Sequence, residues 1–183
     1  MHKTIQNLQE IETLIKRNSV NKEGFKKIKI IAVSKTFKIE NITPLLDYGH
    51  VDFGENKVQE AIEKWSDIKK KYKNLSLHMV GGLQTNKVKQ AVSLFDYIHS
   101  VDSYKLAKKI AVEQGKLNRN LKLFIQLNIG NEIQKSGISY SELKDFKNYC
   151  VEDLNLDIIG LMCIPPVSSN LKEIFSKMKI YNE

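Results

Sequence analysis

The chain has 183 residues, of which 42% are hydrophobic, and this length and composition fit one globular domain with a substantial core. No apolar stretch is long enough to span a bilayer, so we predict no membrane partner. The net charge of +8 comes almost entirely from lysines spread over predicted helix surfaces, with Arg17 and Arg119 as the only arginines and no aromatic residues interleaved, which argues against a nucleic-acid partner.

The amino-terminal segment predicts an amphipathic helix, because Ile5, Leu8, Ile11 and Leu14 recur at helical spacing before a polar turn that ends at Gly24. The segment lacks the apolar core of a signal peptide, and it contains acidic residues, which transit peptides avoid. We therefore expect a cytoplasmic protein.

Six apolar runs rich in branched residues then alternate with amphipathic stretches, a pattern typical of strands and helices around a parallel sheet. Helical crossovers between successive strands make those strands parallel and the connections right-handed. The predicted strands are residues 28–35, 50–55, 76–81, 97–102, 121–129 and 156–164.

Three helices are predicted between these strands. Thr43 is expected to cap a short helix whose first position is Pro44, because proline is well tolerated at the start of a helix. Ser103 is expected to cap another helix. The helix after Ser103 has an apolar face at helical spacing, formed by Leu106, Ala107, Ile110 and Ala111. The third helix has a similar face, formed by Val58, Ala61, Ile62, Trp65 and Ile68.

A last helix is predicted from Leu171, Ile174, Phe175 and Met178, and the chain ends shortly after it at Glu183. The alternation suggests an α/β fold of the TIM-barrel type, but six strands cannot close an eight-stranded barrel, since closure ties strand number to tilt and shear. We therefore expect a single domain over residues 1–183 that holds six of the eight β/α units, is incomplete at its C-terminus and has exposed sheet edges.

The sequence offers no disulfide or metal site. Cys150 and Cys163 fall in a helix-like and a strand-like segment, so we predict packing roles for both. No pair of histidines has the spacing of metal ligands, and the carboxylates lie mostly in helix-surface patterns, which predicts no metal.

The most informative residue is Lys35, which closes the apolar run 28–34 where the strand should reach the surface. Apolar surroundings at a strand end favour the neutral amine, which is a nucleophile toward aldehydes and forms Schiff bases. The simpler interpretation is a solvated lysine at the end of a strand. Neighbouring motifs decide between the two.

Four further motifs lie where predicted strands end, and in a barrel these ends converge. Each also has a purely structural interpretation: Asn56 as a helix cap, Glu55 and Glu60 as surface carboxylates, His78 as a core histidine, Lys135 as a loop lysine and Pro165-Pro166 as the stop of a strand. The motifs are Phe53-Gly-Glu-Asn56 running on to Glu60, His78-Met-Val-Gly-Gly-Leu-Gln-Thr-Asn-Lys87, Lys135-Ser-Gly-Ile138 and Gly160-Leu-Met-Cys-Ile-Pro165.

Taken together and in this order, VSK, FGENxVQE, LQTNK, KSGI and GLMxIP resemble the pyridoxal phosphate homeostasis protein family over essentially the whole chain. The resemblance implies a barrel of the alanine racemase amino-terminal type that carries pyridoxal 5'-phosphate (PLP) as a Schiff base on Lys35. It also implies that Asn56 and His78 lie around the cofactor ring, that Met162 packs nearby, and that Lys135 helps in cofactor handling or transfer.

The resemblance further implies a monomer that serves intracellular PLP homeostasis without catalytic turnover, with PLP and PLP-dependent apoenzymes as partners. Family members continue with a segment like MGMSxD and a strand like VRIG, which hold the phosphate and address the ring nitrogen. Neither occurs here, so we expect weaker retention of PLP. The alternatives are a racemase-like PLP enzyme, an aldolase that uses Lys35 directly, a lysine-rich binding module, or a truncated remnant that does not bind PLP.

Overall fold

A computed structural model describes residues 2–19, 28–130, 136–166 and 170–182. Within these ranges, six strands alternate with helices in the predicted order. The strands are β1 (Ala32–Val33), β2 (Asp52–Glu55), β3 (Ser76–Met79), β4 (Tyr97–Val101), β5 (Lys122–Leu127) and β6 (Ile158–Cys163). The helices are α1 (Lys3–Asn18), α2 (Ile39–Tyr48), α3 (Val58–Lys71), α4 (Val88–Leu94), α5 (Tyr104–Leu117), α6 (Leu143–Asn148) and α7 (Leu171–Asn182).

All five pairings in the sheet are parallel, and the strand order is β1-β2-β3-β4-β5-β6. Each strand therefore lies beside the one that precedes it in the chain, which is the order of a β/α barrel. In the described part of the chain, β1 and β6 are the two outer strands. The prediction of a TIM-barrel-like α/β fold is confirmed.

The core fills the layer between the sheet and its covering helices. On this side, Phe53 packs on Trp65 with ring centroids 4.9 Å apart, and both side chains are fully buried. Because strand side chains alternate, residues at intervening positions face the opposite side, the inner face of the barrel-like sheet. The inner-face residues used below are Val33, Asp52, Gly54, His78, Tyr97, His99, Phe124, Gln126 and Met162, assigned from the strand registers.

Two predicted boundaries are wrong. The helix expected to begin at Pro44 begins five residues earlier, at Ile39, because burial of Ile42 draws this segment into the core. Thr43 does not cap the helix but hydrogen-bonds back to the Ile39 carbonyl. The first strand, expected over residues 28–35, is paired with β2 only at Ala32–Val33, and its expected last residue, Lys35, already belongs to the turn that follows.

Three other expectations concern helix ends, cysteines and membrane spans. Ser103 occupies the predicted N-cap position of α5, but its side chain makes no capping hydrogen bond. Cys150 and Cys163 are free thiols, and burial raises the pKa of Cys150 to about 12. No helix in the described residues has both the length and the apolar character that crossing a bilayer requires.

Candidate functional site

Lys35 lies in the turn that follows β1, at the carboxyl end of the sheet, and its side chain is exposed. The expectation that apolar surroundings enclose Lys35 at the end of the strand is therefore wrong. The last ladder bond before the turn runs from Ser34 N–H to the Gly54 carbonyl, at 2.8 Å. The Ser34 side chain faces the helix layer, where its Oγ bonds to Glu55, and Lys35 follows it in the turn. The chain thus presents a primary amine at the mouth of the sheet.

A buried polar network lies beneath this turn on the helix side. Glu55 is fully buried, and its Oε1 accepts hydrogen bonds from Ser34 Oγ at 2.8 Å, Lys64 Nζ at 2.8 Å and Trp65 Nε1 at 2.9 Å. The interpretation of Glu55 as a surface carboxylate is therefore wrong. Lys64 was not predicted to have a role, because no local sequence pattern indicates that the side chain of a helix lysine turns inward to contact a glutamate on a strand.

Glu60 extends the network to the other side of the turn. Its Oε1 accepts hydrogen bonds from Lys64 Nζ at 3.0 Å and from the Thr36 N–H. Burial alone would raise the pKa of Glu60, but the bonds from Lys64 and Thr36 outweigh it and hold the pKa below its usual value. The carboxylate is therefore charged at neutral pH.

Asn56 follows β2, and its side-chain oxygen is buried without a hydrogen-bond partner among the described residues. Gly81, at the end of β3, approaches it so closely that a Cβ added there would lie 2.4 Å from the Asn56 carbonyl oxygen. Asn56 and the loop after β3 therefore meet at the carboxyl end of the sheet. A buried amide oxygen without a partner is costly, which is typical of a group that serves a ligand.

A cavity of about 290 Å³ opens beside Gly81 and Gly82. It lies at the carboxyl ends of β3, β5 and β6, and its volume is just below the roughly 300–1,000 Å³ range of small-molecule sites. Its lining residues are Val80, Gly81, Gly82, Gln126, Leu127, Asn128, Ser136 and Ile164.

The structure brings together some of the predicted site residues but not all. Lys35 and Asn56 follow adjacent strands, β1 and β2, at the same edge of the sheet. Met162 is half-buried on β6, opposite Gln126 of β5, which lines the cavity. Lys135 lies outside the described residues.

His78 is buried on the inner face of β3, where it belongs to a chain of hydrogen bonds across three strands. Its Nε2 lies 3.1 Å from Asp52 Oδ1 on β2, and its Nδ1 lies 2.9 Å from His99 Nε2 on β4. Tyr97 stacks on His78 at 4.2 Å and Phe124 stacks on His99 at 4.3 Å between ring centroids.

The surroundings of His78 and His99 disfavour the charged form of both imidazoles. Burial lowers the pKa of His78, although the hydrogen bond that its ring donates to the Asp52 carboxylate opposes the shift. Burial, followed by repulsion from His78, lowers the pKa of His99 to about 4. Asp52 and His99 were not predicted as members of this network. The available signal was that both, like His78, are polar residues at inner-face positions of predicted strands.

The described residues contain no group of three histidine, cysteine, aspartate or glutamate side chains that could hold a metal ion. Among these residues, the polar groups at the mouth of the sheet include the Lys35 amine and the Asn56 amide.

Comparisons with known proteins agree with this architecture. Residues 6–180 match the family described as alanine racemase, N-terminal domain. The pyridoxal phosphate homeostasis protein of Haemophilus influenzae is 34% identical over 165 residues, which cover 90% of this chain and 68% of that protein. The protein of the same description from Aquifex aeolicus is 36% identical over 146 residues, covering 80% of this chain and 63% of that protein.

Among solved structures, PipY of Synechococcus elongatus is similar in both its PLP-free and its PLP-bound forms. The TM-scores are 0.81 and 0.78, at 31% and 30% identity, and each match covers 93% of this chain and 78% of the PipY chain. Alanine racemase from Corynebacterium glutamicum, at 13% identity and a TM-score of 0.64, shares the fold.

Proposed function

The chain belongs to the family of pyridoxal phosphate homeostasis proteins, and from this premise we propose that it is a PLP-binding protein that holds the cofactor and delivers it to PLP-dependent apoenzymes. The observation that carries the proposal is the exposed Lys35 amine, in the motif that carries the family resemblance, at the mouth of the sheet. We propose a cytoplasmic monomer without catalytic turnover.

PLP supplies an aldehyde that primary amines capture reversibly. Lys35 would hold the cofactor through its Nζ as a Schiff base, with the two amine protons and the aldehyde oxygen released as water. Water or another amine reverses the reaction. The exposure of Lys35 supports both steps, because the incoming amine of a recipient protein needs access to the bond.

The remaining residues at the mouth fit a polar aromatic ring. The unpartnered Oδ1 of Asn56 can accept a hydrogen bond, and the absence of a side chain at Gly81 lets the backbone of Asn56 lie close to it. We propose that Asn56 and Met162 line the ring, that His78 supports this layer from beneath, and that Lys135 helps in cofactor transfer. The glycine-lined cavity of about 290 Å³ offers the adjoining volume.

The first prediction concerns Lys35 itself. Mixing the purified protein with PLP should produce the visible absorption band of a Schiff base, and Lys35→Ala should lose this band and bind PLP at least about tenfold more weakly. Borohydride reduction followed by peptide mapping should locate the pyridoxyl group on Lys35.

Lys38→Ala is the matched control, since Lys38 is an exposed lysine three residues away at the start of α2. It should keep both the band and the affinity. Equal bands in all three proteins would contradict the proposal, and amino-acid racemisation that depends on Lys35 would replace the carrier role with an enzymatic one.

A further inference from the structure

We infer that Glu55, Lys64 and Glu60 form a clamp that positions Lys35 for covalent capture of an aldehyde, which makes the three clamp residues positioning residues. The inference rests on the proposed role of Lys35 and deepens it. The three residues lie on the helix side of the sheet, beneath the Lys35 turn.

The clamp holds the chain on both sides of Lys35. On one side, Lys64 Nζ donates to the Ser34 carbonyl at 2.7 Å and Ser34 Oγ donates to Glu55 Oε1 at 2.8 Å. On the other side, the Thr36 N–H donates to Glu60 Oε1. The two residues that flank Lys35 are thereby fixed, while Lys35 itself remains exposed.

Lys64 joins the two sides of the clamp. Its ammonium group contacts Glu55 at 2.8 Å and Glu60 at 3.0 Å, and its side chain is only 9% exposed. Charges buried this deeply are expensive to desolvate, so a buried ion pair is weak evidence for a stabilising role. Two of the charged groups also bond to the backbone of the Lys35 turn: Lys64 donates to the Ser34 carbonyl and Glu60 accepts from the Thr36 N–H.

The turn needs such support. Thr36 has a φ of +65°, a left-handed conformation that is uncommon for a β-branched residue. Backbone of this kind costs on the order of 1–3 kcal/mol and persists only where the surroundings hold it. Because Glu60 bonds to the N–H of this residue, the clamp stabilises the conformation that turns Lys35 out of the strand.

Fixing the turn limits the directions that the Lys35 amine can take. Attack on a carbonyl carbon requires a narrow approach, so an amine held in the productive orientation reacts faster than a freely moving one. The clamp should therefore affect the covalent step much more than the non-covalent fit of the ring.

The test compares Lys64→Met with Lys69→Met, a matched control on the same helix. Lys69 makes the corresponding contacts elsewhere: its Nζ lies 2.7 Å from the Leu94 carbonyl and 2.6 Å from Asp96 Oδ2. Covalent attachment is followed with PLP, and non-covalent binding with 4-deoxypyridoxine 5'-phosphate, which has no aldehyde. Hydrogen exchange of the Thr36 amide reports on the turn without any ligand.

Lys64→Met should slow attachment about tenfold or more and speed Thr36 exchange by a similar factor, while affinity for the deoxy analogue stays within about twofold. Lys64→Arg should recover part of the rate, because arginine keeps the charge although its larger guanidinium cannot reproduce all three contacts of the ammonium group. Lys69→Met should change none of the three quantities. Glu60→Ala, at a less buried site, gives the same pattern if Lys64→Met fails to fold.

Equal effects of the Lys64 and Lys69 variants on attachment and exchange would overturn the clamp. A parallel loss of analogue affinity would reduce it to ordinary structural support. If the wild-type protein captures no PLP but its Thr36 exchange still depends on Lys64, the proposed function fails while the geometric part of the inference holds.

Discussion

Gly81 makes the closest backbone approach at the proposed site. A Cβ at this position would lie 2.4 Å from the Asn56 carbonyl oxygen and 2.7 Å from its Cα, and both are backbone atoms that cannot rotate away. At the neighbouring Gly82, a Cβ would meet nothing within 4 Å. A side chain would therefore fit at Gly82 but would collide with backbone at Gly81. Of the two glycines, only Gly81 brings the segment after β3 into contact with the residue that follows β2.

We expect Gly81→Ala to destabilise the protein by about 1–3 kcal/mol, because the added methyl group forces the two loops apart. PLP affinity should fall as Asn56 shifts. Gly82→Ala should stay within about 0.5 kcal/mol of wild type, since its surroundings are open. Urea unfolding and PLP titration of both variants measure these effects, and indistinguishable variants would contradict the contact.

The prediction of Lys35 and Asn56 as mouth residues needed only their places after apolar runs. Glu55 and Lys64 could not be predicted in the same way, because their burial depends on a contact between a strand and the following helix. A lysine in a helix with three consecutive lysines at its end looks like any other surface residue. Only the packing of α3 against β2 turns its side chain inward.

The strands contribute a second polar feature, the chain that joins Asp52 on β2, His78 on β3 and His99 on β4. Lys29 also faces it, with its Nζ 3.5 Å from Asp52 Oδ1. Because the pKa of His78 is lowered and that of His99 is about 4, both imidazoles stay neutral at pH values where an unfolded chain would protonate them.

The difference in proton binding between the folded and unfolded states makes the free energy of unfolding depend on pH in a definite direction. Between about pH 6.5 and pH 4 the unfolded state binds more protons than the folded state, so stability is lost as the pH falls through this window. His99 alone accounts for up to about 3 kcal/mol of that loss. His99→Gln, which keeps a hydrogen-bonding group but does not titrate, should reduce the difference between urea midpoints at pH 7.5 and pH 4.5. An unchanged difference would argue against a neutral His99.

The elements themselves were largely predictable, because continuous apolar runs and helical spacing carry most of the information in an α/β protein. All six strands and the faces of α3 and α5 are confirmed. The start of α2 was not predictable from Pro44, since burial of Ile42 outweighed the preference of proline for a first turn. The three-strand histidine chain required the register between strands, which no local pattern supplies.

The sheet as a whole is open in the described part of the chain, with β1 and β6 at its edges. Apolar side chains are exposed near both: Val33 at 45% and Phe37 at 57% beside β1, and Ile159 at 42% and Ile164 at 60% beside β6. Unpaired strand edges with apolar neighbours are sites of intermolecular association.

We expect the purified chain to aggregate on warming through the β6 edge. Ile159→Lys should delay this aggregation, because a charge on an edge strand disfavours pairing with another chain. Val112→Lys is the control: Val112 is equally exposed, at 45%, but lies on α5. Light scattering during a temperature ramp measures both variants, and equal protection would show that net charge, not the edge, controls the association.

The fold class was predictable at this level because alternation of strands and helices leaves few topologies. The open edges followed from the number of strands alone. What the alternation could not supply was the detailed shape of the mouth, which depends on loops after β3 and β5.

The neighbour-to-neighbour order of the strands has a consequence for synthesis on the ribosome. No strand has to insert between two that are already paired, so each newly emerging unit can dock onto the one translated just before it. The sheet can therefore grow in the direction of translation, and the Lys35 turn can acquire its clamp as soon as α3 has left the exit tunnel.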